Sequence, residues 1–466
     1  MYYRLKNEIA LRGWEKLPYA LRDLTNGGTM FIGQAEFDAL SLCDGETVVG
    51  HFSTLPLYME IIEKAKERGI VVQLEEPFPL MPWQKYHLHP SRYIRQAHWS
   101  ITGHCNYKCK HCYMSAPDAK FGELTQAQCF KIIDELHECG IASVTLTGGE
   151  AMMRADFWEL VDRLLAYGIQ IETIYTNGAL LTSEVLDACE RRKIMPAFSL
   201  SFDGIGWHDW MRGIDGAEQI AIDALKLCQA RGFRTSVEMC IFKHNKHTLR
   251  DTVNLLATLG VGAIKTNPAS LSGAWIENGG DAHLKLNELF EVYLDYIPHF
   301  FADGAPVNIQ LGGFFMASKG EKEYLLPSVK FDGSERAGRQ VICGHARQVM
   351  YISAEGRILP CMSLSGLDIQ SDYPLVTEQG LIKCLTDSHY MRLIGTTVDG
   401  YLAQVPECEA CEHKYHCCSG CRASAYESGG EFMGPDRAVC AIYKGGYIPR
   451  IIEAAKGYNC TNYKEE

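Results

Sequence analysis

The sequence lacks three features that would place the protein in a membrane, outside the cell or on nucleic acid. It contains no run of about 18 uncharged apolar residues, which excludes a predicted transmembrane helix. Residues 1–8 contain no apolar export segment, so we expect a cytoplasmic protein. Basic residues are in deficit, with 45 Lys and Arg against 57 Asp and Glu, and a net charge of −12 disfavours a protein that coats nucleic acid.

Cysteine is abundant instead, with 19 in 466 residues. Because structural disulfides are rare in a reducing compartment, this frequency indicates metal ligation by thiolates or redox chemistry. Buried cysteines also serve as small apolar side chains, so spacing must separate the two uses. The cysteines without ligand spacing are predicted to be core or surface residues: Cys43, Cys129, Cys139, Cys189, Cys228, Cys240, Cys384, Cys418 and Cys460. Among these, Cys240 on a predicted strand is the candidate for a thiol that donates a hydrogen atom.

A strand-then-helix pattern repeats through the middle of the chain. Short β-rich runs occur at 98–102, 143–147, 171–176, 197–202, 235–242 and 263–267, separated by amphipathic stretches at 126–139, 156–167, 183–192, 217–230 and 249–259. This alternation predicts an α/β fold with a parallel sheet, curled by right-handed crossovers into a partial (β/α)6 TIM-like barrel over 98–325. In such a barrel the loops that leave the carboxyl ends of the strands carry the chemistry.

The two ends of the chain have different patterns. Residues 1–80 predict a winged-helix-like α+β module: a hairpin around Asn26-Gly27, helices at 34–42 and 55–68, and a strand at 70–74. A linker is predicted at 81–97. Beyond residue 335 the helix and strand signals weaken while cysteines accumulate, which predicts a metal-stapled domain at 335–450 with little core of its own and a tail at 451–466.

Three cysteines follow the first predicted barrel strand. Cys105, Cys109 and Cys112 lie on one loop, where three thiolates can hold an iron–sulfur cubane and leave its fourth iron open. A zinc site is the alternative, with His104 or His111 as the fourth ligand.

Polar motifs also end the next three predicted strands. They are Gly148-Gly149-Glu150, Asn177 within Thr-Asn-Gly, and Ser201 with Asp203. Adjacent glycines let the backbone approach a ligand closely, and a carboxylate accepts hydrogen bonds from an ammonium group. Because all these motifs fall at the same predicted rim as the cysteine loop, we expect them to form one site.

The CxxxCxxC motif followed by Gly-Gly-Glu on the next strand resembles the radical S-adenosylmethionine (SAM) superfamily. The resemblance implies that Cys105, Cys109 and Cys112 hold a 4Fe-4S cluster whose open iron binds the amino and carboxylate groups of SAM. It also implies SAM contacts for the rim motifs: Gly148, Gly149 and Glu150 at the methionine, Asn177 at the same rim, and Ser201 and Asp203 near the ribose or carboxylate. His111 stands where the family usually has an aromatic residue. An external electron donor of flavodoxin or ferredoxin type is implied as a partner.

The later cysteines resemble the SPASM extension of radical SAM enzymes. The resemblance implies two auxiliary 4Fe-4S clusters, one held by Cys408, Cys411, Cys417 and Cys440 and the other by Cys343, Cys361 and Cys421, which makes three clusters in all. The second set is one thiolate short. An open iron, a ligand such as His345 or Glu355, or the thiol of Cys418 are the possible solutions, and a zinc site in 408–421 is the alternative to both clusters.

The N-terminal module resembles PqqD-type peptide-recognition elements, with residues 42–48 in the turn before the second helix. Such elements capture the leader of a precursor peptide as an added strand on a sheet edge. A DNA-binding winged helix is disfavoured, because residues 1–80 carry 8 basic against 12 acidic residues. A packing appendage is the remaining alternative.

Together the resemblances imply a peptide maturase that generates a 5′-deoxyadenosyl radical and installs oxidative crosslinks in a ribosomal precursor peptide, with cysteine thioethers as the leading product. Carbon–carbon or carbon–oxygen crosslinks and peptide epimerisation are alternatives. An anaerobic sulfatase-maturase is a further alternative, although such enzymes carry aspartate where this chain has Met362. The alternative in which the protein is not an enzyme is a peptide-binding adaptor stabilised by zinc.

Overall fold

The computed structural model describes residues 1–48, 55–116, 120, 122–386 and 389–463. The strands are β1 (Tyr2–Leu5), β2 (Ile9–Trp14), β3 (Leu17–Asp23), β4 (Thr29–Phe31), β5 (Asp44–Val48), β6 (Val71–Leu74), β7 (His87–His89), β8 (Gln96–Ser100), β9 (Ser143–Thr147), β10 (Gln170–Thr176), β11 (Ala197–Ser201), β12 (Thr235–Ile241), β13 (Ala263–Pro268), β14 (Asn308–Leu311), β15 (Phe315–Ala317), β16 (Glu323–Leu325), β17 (Val349–Ile352), β18 (Ile358–Leu359) and β19 (Asn459–Cys460).

The α-helices are α1 (Gln34–Ser41), α2 (Pro56–Glu67), α3 (Gln126–Glu138), α4 (Phe157–Ala166), α5 (Ser183–Arg191), α6 (His208–Arg212), α7 (Ala217–Ala230), α8 (Leu249–Thr258), α9 (Trp275–Asn278), α10 (Leu286–Ala302), α11 (Val376–Gln379), α12 (Leu381–Cys384), α13 (His389–Gly395), α14 (Val398–Leu402), α15 (Pro406–Glu409), α16 (Lys414–Cys417), α17 (Arg422–Gly429), α18 (Arg437–Lys444) and α19 (Tyr447–Ala454). None of the described helices combines the length and apolar character that a bilayer crossing requires.

One twisted sheet organises the chain from residue 96 onward. Strands β8 to β14 run parallel in sequence order, and β17 adds in parallel on the other side of β8. Strand β12 shows why the sheet is two-faced: buried Val237, Met239 and Ile241 alternate with less buried residues that point to the opposite face. The sheet stays open, so the predicted partial barrel of the α/β class is correct. It is longer than the predicted six strands, because β14 and the edge strands extend it.

The C-terminal region differs from its prediction. The sequence predicts little core for residues 335–450, yet their buried residues join the same apolar core as the barrel helices. Strand β17 pairs with β8 through Tyr351 opposite His98, which carries the barrel sheet into this region. Residues 451–463, expected as a tail, complete α19 and form β19 against β16.

The N-terminal module contains two small sheets, ordered β5-β1-β6 and β4-β3-β2-β7, with α1 packed against α2. The predicted hairpin is present as β3 and β4, and both predicted helices form. Residues 44–48, predicted as part of a turn, are instead strand β5, which pairs with β1. The predicted linker at 81–97 contains β7 and the start of β8.

The module is anchored to the barrel at a defined end of the sheet. The indole nitrogen of Trp14 donates to the carbonyl of Cys139 at 3.0 Å, and the Arg22 guanidinium donates to the carbonyl of Gly140 at 2.7 Å. These acceptors lie in the turn that leads into the amino end of β9. Because β8 and β9 are parallel, the module sits at the end of the sheet opposite the loop that follows β8.

Candidate functional site

The loop after β8 brings Cys105, Cys109 and Cys112 together as half-buried free thiols. Each sulfur receives an N–H group. The backbone N–H groups of Tyr107 and Ala116 lie 3.4 Å from the sulfurs of Cys105 and Cys112, and an Arg212 nitrogen lies 3.7 Å from the sulfur of Cys109. Such donors stabilise sulfur that carries negative charge.

Burial raises the pKa of Cys105 to about 12, and the neighbouring Cys109 and Cys112 add to the effect. Burial also raises the pKa of Cys112. These two sulfurs are therefore stable as thiolates when a metal binds them, since a coordinated metal deprotonates a thiol outright. The donor set, three soft thiolates on one loop with N–H groups aimed at the sulfurs, fits an iron–sulfur cluster.

The Gly-Gly-Glu motif ends β9 directly beside this loop. The N–H of Gly149 donates to the carbonyl of Thr102 at 3.0 Å, and that of Glu150 donates to the carbonyl of His104 at 2.8 Å. A Cβ atom at Gly149 would lie 2.1 Å from the His104 oxygen and 2.9 Å from the Cys105 Cβ. Glycine is required there because the cysteine loop and the end of β9 touch backbone to backbone.

The Glu150 carboxylate turns inward to the end of β10. It is fully buried and accepts hydrogen bonds from the Thr176 hydroxyl at 3.0 Å and from the N–H of Asn177 at 2.8 Å. Burial raises its pKa to about 7 despite these bonds. A ligand ammonium group placed beside it would favour the ionised form. The side-chain nitrogen of Asn177 lies 2.7 Å from the Asn106 side-chain oxygen, so β10 also contacts the cysteine loop.

The third rim motif is arranged differently. Ser201 is half-buried at the end of β11, whereas the Asp203 carboxylate is fully buried. One Asp203 oxygen accepts the N–H of Cys240 at 3.0 Å, and the other lies 2.7 Å from an Arg212 nitrogen. Burial alone would raise the pKa of Asp203, but the Arg212 cation beside it holds that pKa well below its usual range. Both oxygens are thus engaged within the protein, and a contact of Asp203 with the ribose stays a prediction.

The structure adds Arg212 to this rim, a residue that the sequence motifs did not single out, beside three residues that they did. Polar atoms of His111, Asp203 and Cys240 lie within 4.8 Å of one another. The Arg212 cation beside Asp203 makes this group unsuited to a metal ion, since two positive charges would share one carboxylate. Burial raises the pKa of Cys240 well above its usual range, so it remains a thiol. In the sequence, Arg212 is marked only by its position, nine residues after Asp203.

The first set of later cysteines is also brought together. Cys408, Cys411, Cys417 and Cys440 line one cavity, together with Tyr443. Burial raises the pKa of Cys417 to about 12, and Cys408 and Cys411 add to it. Because α18 returns Cys440 to the earlier three, the grouping expected from the SPASM resemblance is geometrically available.

The second set converges elsewhere. Burial raises the pKa of Cys361 to about 12, with contributions from Cys421 and Cys343. Two of the residues suggested as the fourth ligand of this cluster, Cys418 and Glu355, contact other groups. The Cys418 thiol donates to the carbonyl of Tyr415 at 3.4 Å, and the Glu355 carboxylate lies 2.6 Å from the Arg357 guanidinium.

Three buried tyrosines, Tyr351, Tyr373 and Tyr390, surround this second set, and the neighbouring cysteines contribute to the raised pKa of Tyr373 and Tyr390. Burial lowers the pKa of His345, and the charge of the nearby Lys265 lowers it as well.

Comparisons with known proteins agree with this geometry. Residues 99–256 match the family described as the Radical SAM superfamily. The AdoMet-dependent heme synthase of Oleidesulfovibrio alaskensis is 26% identical over 369 residues, which cover 77% of this chain and 88% of that protein. The mycofactocin maturase MftC of Mycobacterium tuberculosis is 26% identical over 342 residues, covering 72% of this chain and 81% of that one.

Among solved structures, Streptococcus suis SuiB bound to precursor peptide SuiA superposes with a TM-score of 0.65 at 17% identity and covers 94% of this chain and 99% of that one. This likeness shows that the two chains share a fold. Residues 99–256 of this chain therefore form a radical SAM domain.

Proposed function

We propose that this chain is a radical SAM peptide maturase that installs oxidative crosslinks, cysteine thioethers foremost, in a ribosomally made precursor peptide. One observation carries the proposal. The superposition on SuiB covers 94% of the chain, so it cannot omit the N-terminal module, whereas the match to the heme synthase covers 77%. A fold shared over the barrel, the cysteine-rich region and the module favours a shared class of substrate.

The residues at the rim have distinct roles in the proposed reaction. When bound, the cluster and SAM supply a 5′-deoxyadenosyl radical that takes a hydrogen atom from the substrate. Cys105, Cys109 and Cys112 would hold the cluster, while the Gly149 backbone keeps the loop against β9 so that SAM enters beside Glu150. The half-buried Ser201 faces the same rim. The protein's own task is to position the target carbon and exclude water.

An oxidative outcome needs an acceptor for the second electron. The two auxiliary cysteine sets are the groups that would hold one, which favours crosslinking over epimerisation because epimerisation involves no net oxidation. The Cys343, Cys361 and Cys421 set lies close to the barrel. Tyr351, whose hydroxyl is 2.6 Å from that of Ser100 at the end of β8, is also a neighbour of Cys361.

We assign leader capture to the edge strand β4. Met30 and Phe31 are 42% and 43% exposed, and β4 pairs with β3 alone within the described residues. In the other small sheet, the edge strand β5 is already covered, because the N–H groups of Phe78 and Leu80 donate to the carbonyls of Gly45 and Asp44. A peptide added along β4 would gain main-chain hydrogen bonds and cover apolar surface.

The experiment is turnover of the anaerobically reconstituted chain with precursor peptides encoded near its gene, SAM and dithionite. We expect release of 5′-deoxyadenosine and a peptide lighter by two hydrogen atoms per link, with one cysteine per link no longer alkylated. A peptide of unchanged mass with an inverted stereocentre would refute crosslinking. Met30→Lys should raise KM for the full precursor, whereas Leu88→Lys, on the opposite edge strand β7, should not.

The heme-synthase relatives favour a second candidate, a reaction on a tetrapyrrole. It predicts tight binding of a porphyrin, visible as a shift of the porphyrin absorption band on titration with the chain. The peptide proposal expects no saturable shift.

A further inference from the structure

Arg212 lies between a predicted cluster ligand and a buried carboxylate. One terminal nitrogen is 3.7 Å from the sulfur of Cys109, and the other is 2.7 Å from an oxygen of Asp203. The side chain is only 9% exposed and Asp203 is fully buried. A complete positive charge is thus fixed against the sulfur in a region that excludes water.

The backbone, and not the ion pair alone, sets this position. The N–H of Lys110 in the cysteine loop donates to the carbonyl of Met211 at 2.9 Å, which ties the end of α6 to that loop. Asp203 has its own anchors, the N–H of Cys240 and the ring of His208. The Nε atom of Arg212 has no hydrogen-bond partner among the described residues. An arginine serving only to neutralise Asp203 would not need to reach Cys109.

The charge has a definite electrostatic consequence. Reduction adds one electron, and therefore one negative charge, to a cluster bound at Cys105, Cys109 and Cys112. A cation beside a ligand sulfur stabilises that negative charge. Hydrogen bonds to the sulfur atoms are among the factors that set the reduction potential of an iron–sulfur cluster. Arginine stays protonated under all ordinary conditions, so the effect is permanent. Asp203, on the far side of the guanidinium, partly offsets it.

We propose that Arg212 raises the reduction potential of the cluster at Cys105, Cys109 and Cys112, with Asp203 as the counter-charge that limits the increase. Arg212 is a positioning residue: the electron comes from an external one-electron donor, and no bond at Arg212 forms or breaks. The proposal rests on the radical SAM assignment and is independent of the substrate.

The test is a redox titration of the reconstituted full chain followed by electron paramagnetic resonance. The signal that changes when SAM is added reports this cluster and separates it from auxiliary clusters. The double variant Arg212→Met/Asp203→Asn, which leaves no unpaired buried charge, should have a lower potential than the parent. Asp203→Asn alone should have a higher one, and Arg212→Lys, which keeps the charge, should stay closer to the parent than the double variant does.

A matched control is the ion pair of Arg163 and Asp134 on the outer helices α4 and α3, whose atoms approach to 2.5 Å. Replacing both by Met and Asn removes the same charges from a solvated site and should leave the potential unchanged. An unchanged potential in the double Arg212 variant, with weaker SAM binding instead, would show that Arg212 is a SAM ligand and overturn the proposal. If that variant holds no cluster, Asp203→Asn decides, because an unchanged or lower potential there contradicts the proposal.

Discussion

His89 makes the docking of the N-terminal module sensitive to acid. It is buried on β7, stacked on Trp14 with ring centres 5.0 Å apart, and its Nδ1 atom lies 2.9 Å from the carbonyl of Glu138. A Cβ atom at Gly140 would lie 2.5 Å from the imidazole ring, so the ring has no room for a hydration shell. Burial, together with the nearby His87, Arg12 and Arg22, lowers the pKa of His89 to about 3, although the hydrogen bond to Glu138 opposes the shift.

The direction of the pH effect follows from proton linkage. The unfolded chain protonates this imidazole near its ordinary pKa of 6.5, whereas the folded chain does so only near 3. Between these values the unfolded state binds more protons, so the stability present above pH 6.5 is progressively lost as the pH falls. At pH 5 the loss is about 2 kcal/mol, from roughly 1.4 kcal/mol for each pH unit below 6.5.

The assay is urea unfolding of the parent and of His89→Phe at pH 7.5 and pH 5.0. At pH 7.5 the variant should be less stable by about 1 kcal/mol, because it loses the hydrogen bond to Glu138. From pH 7.5 to pH 5.0, the free energy of unfolding should fall by about 2 kcal/mol less in the variant than in the parent. His247→Phe, at an exposed position, is the control and should keep the full pH dependence. An equal loss in the parent and in His89→Phe would refute the reasoning.

Three further predictions follow from the site. Gly149→Ala should reduce the iron bound at the first cysteine loop, because its Cβ would lie 2.1 Å from the His104 carbonyl oxygen; iron analysis and Mössbauer spectroscopy measure the loss. Gly313→Ala, where a Cβ meets nothing within 4 Å, is the control and should bind iron normally. Cys411→Ala and Cys361→Ala should each remove one auxiliary cluster, and the double variant should remove both; equal iron loss in each single variant and in the double variant would contradict two separate sets. Shortening the precursor between leader and modified residue to fewer than about five residues should abolish turnover without weakening leader binding, because β9 spans about 17 Å between the module and the rim.

The barrel was predictable because local signals and tertiary structure agree there. Buried apolar runs alternate with amphipathic helices, and Thr125 caps α3 with its hydroxyl 3.3 Å from the N–H of Gln128, as its sequence predicts. The strand bounds from β8 to β13 consequently fall within two residues of their predictions. The same agreement places the polar motifs at the strand ends, and with them most of the rim.

The features that were missed depend on partners far away in sequence. Residues 44–48 contain Asp, Gly and Thr and so indicate a turn, yet pairing with β1 makes them a strand. Strand β17 pairs with β8 across some 250 residues, which no local pattern reports. Arg212 approaches Cys109 only because α6 packs against the cysteine loop in the folded chain. The division of seven cysteines into two sets came from a family resemblance, since spacing alone allows other groupings.

The position of the module separates the two candidate substrates on physical grounds. Trp14 and Arg22 hold the module at the amino ends of the strands, and the cysteine loop lies at their carboxyl ends. Only a flexible, extended substrate can contact β4 and the rim at once, because the two are at least a strand length apart. A tetrapyrrole bound at the rim would not reach β4, and its turnover would be indifferent to Met30→Lys. The Met30→Lys substitution therefore distinguishes a peptide from a tetrapyrrole even before the product is identified. Only a peptide substrate can be held at β4 while it reacts at the rim, so only for a peptide does binding at β4 affect KM.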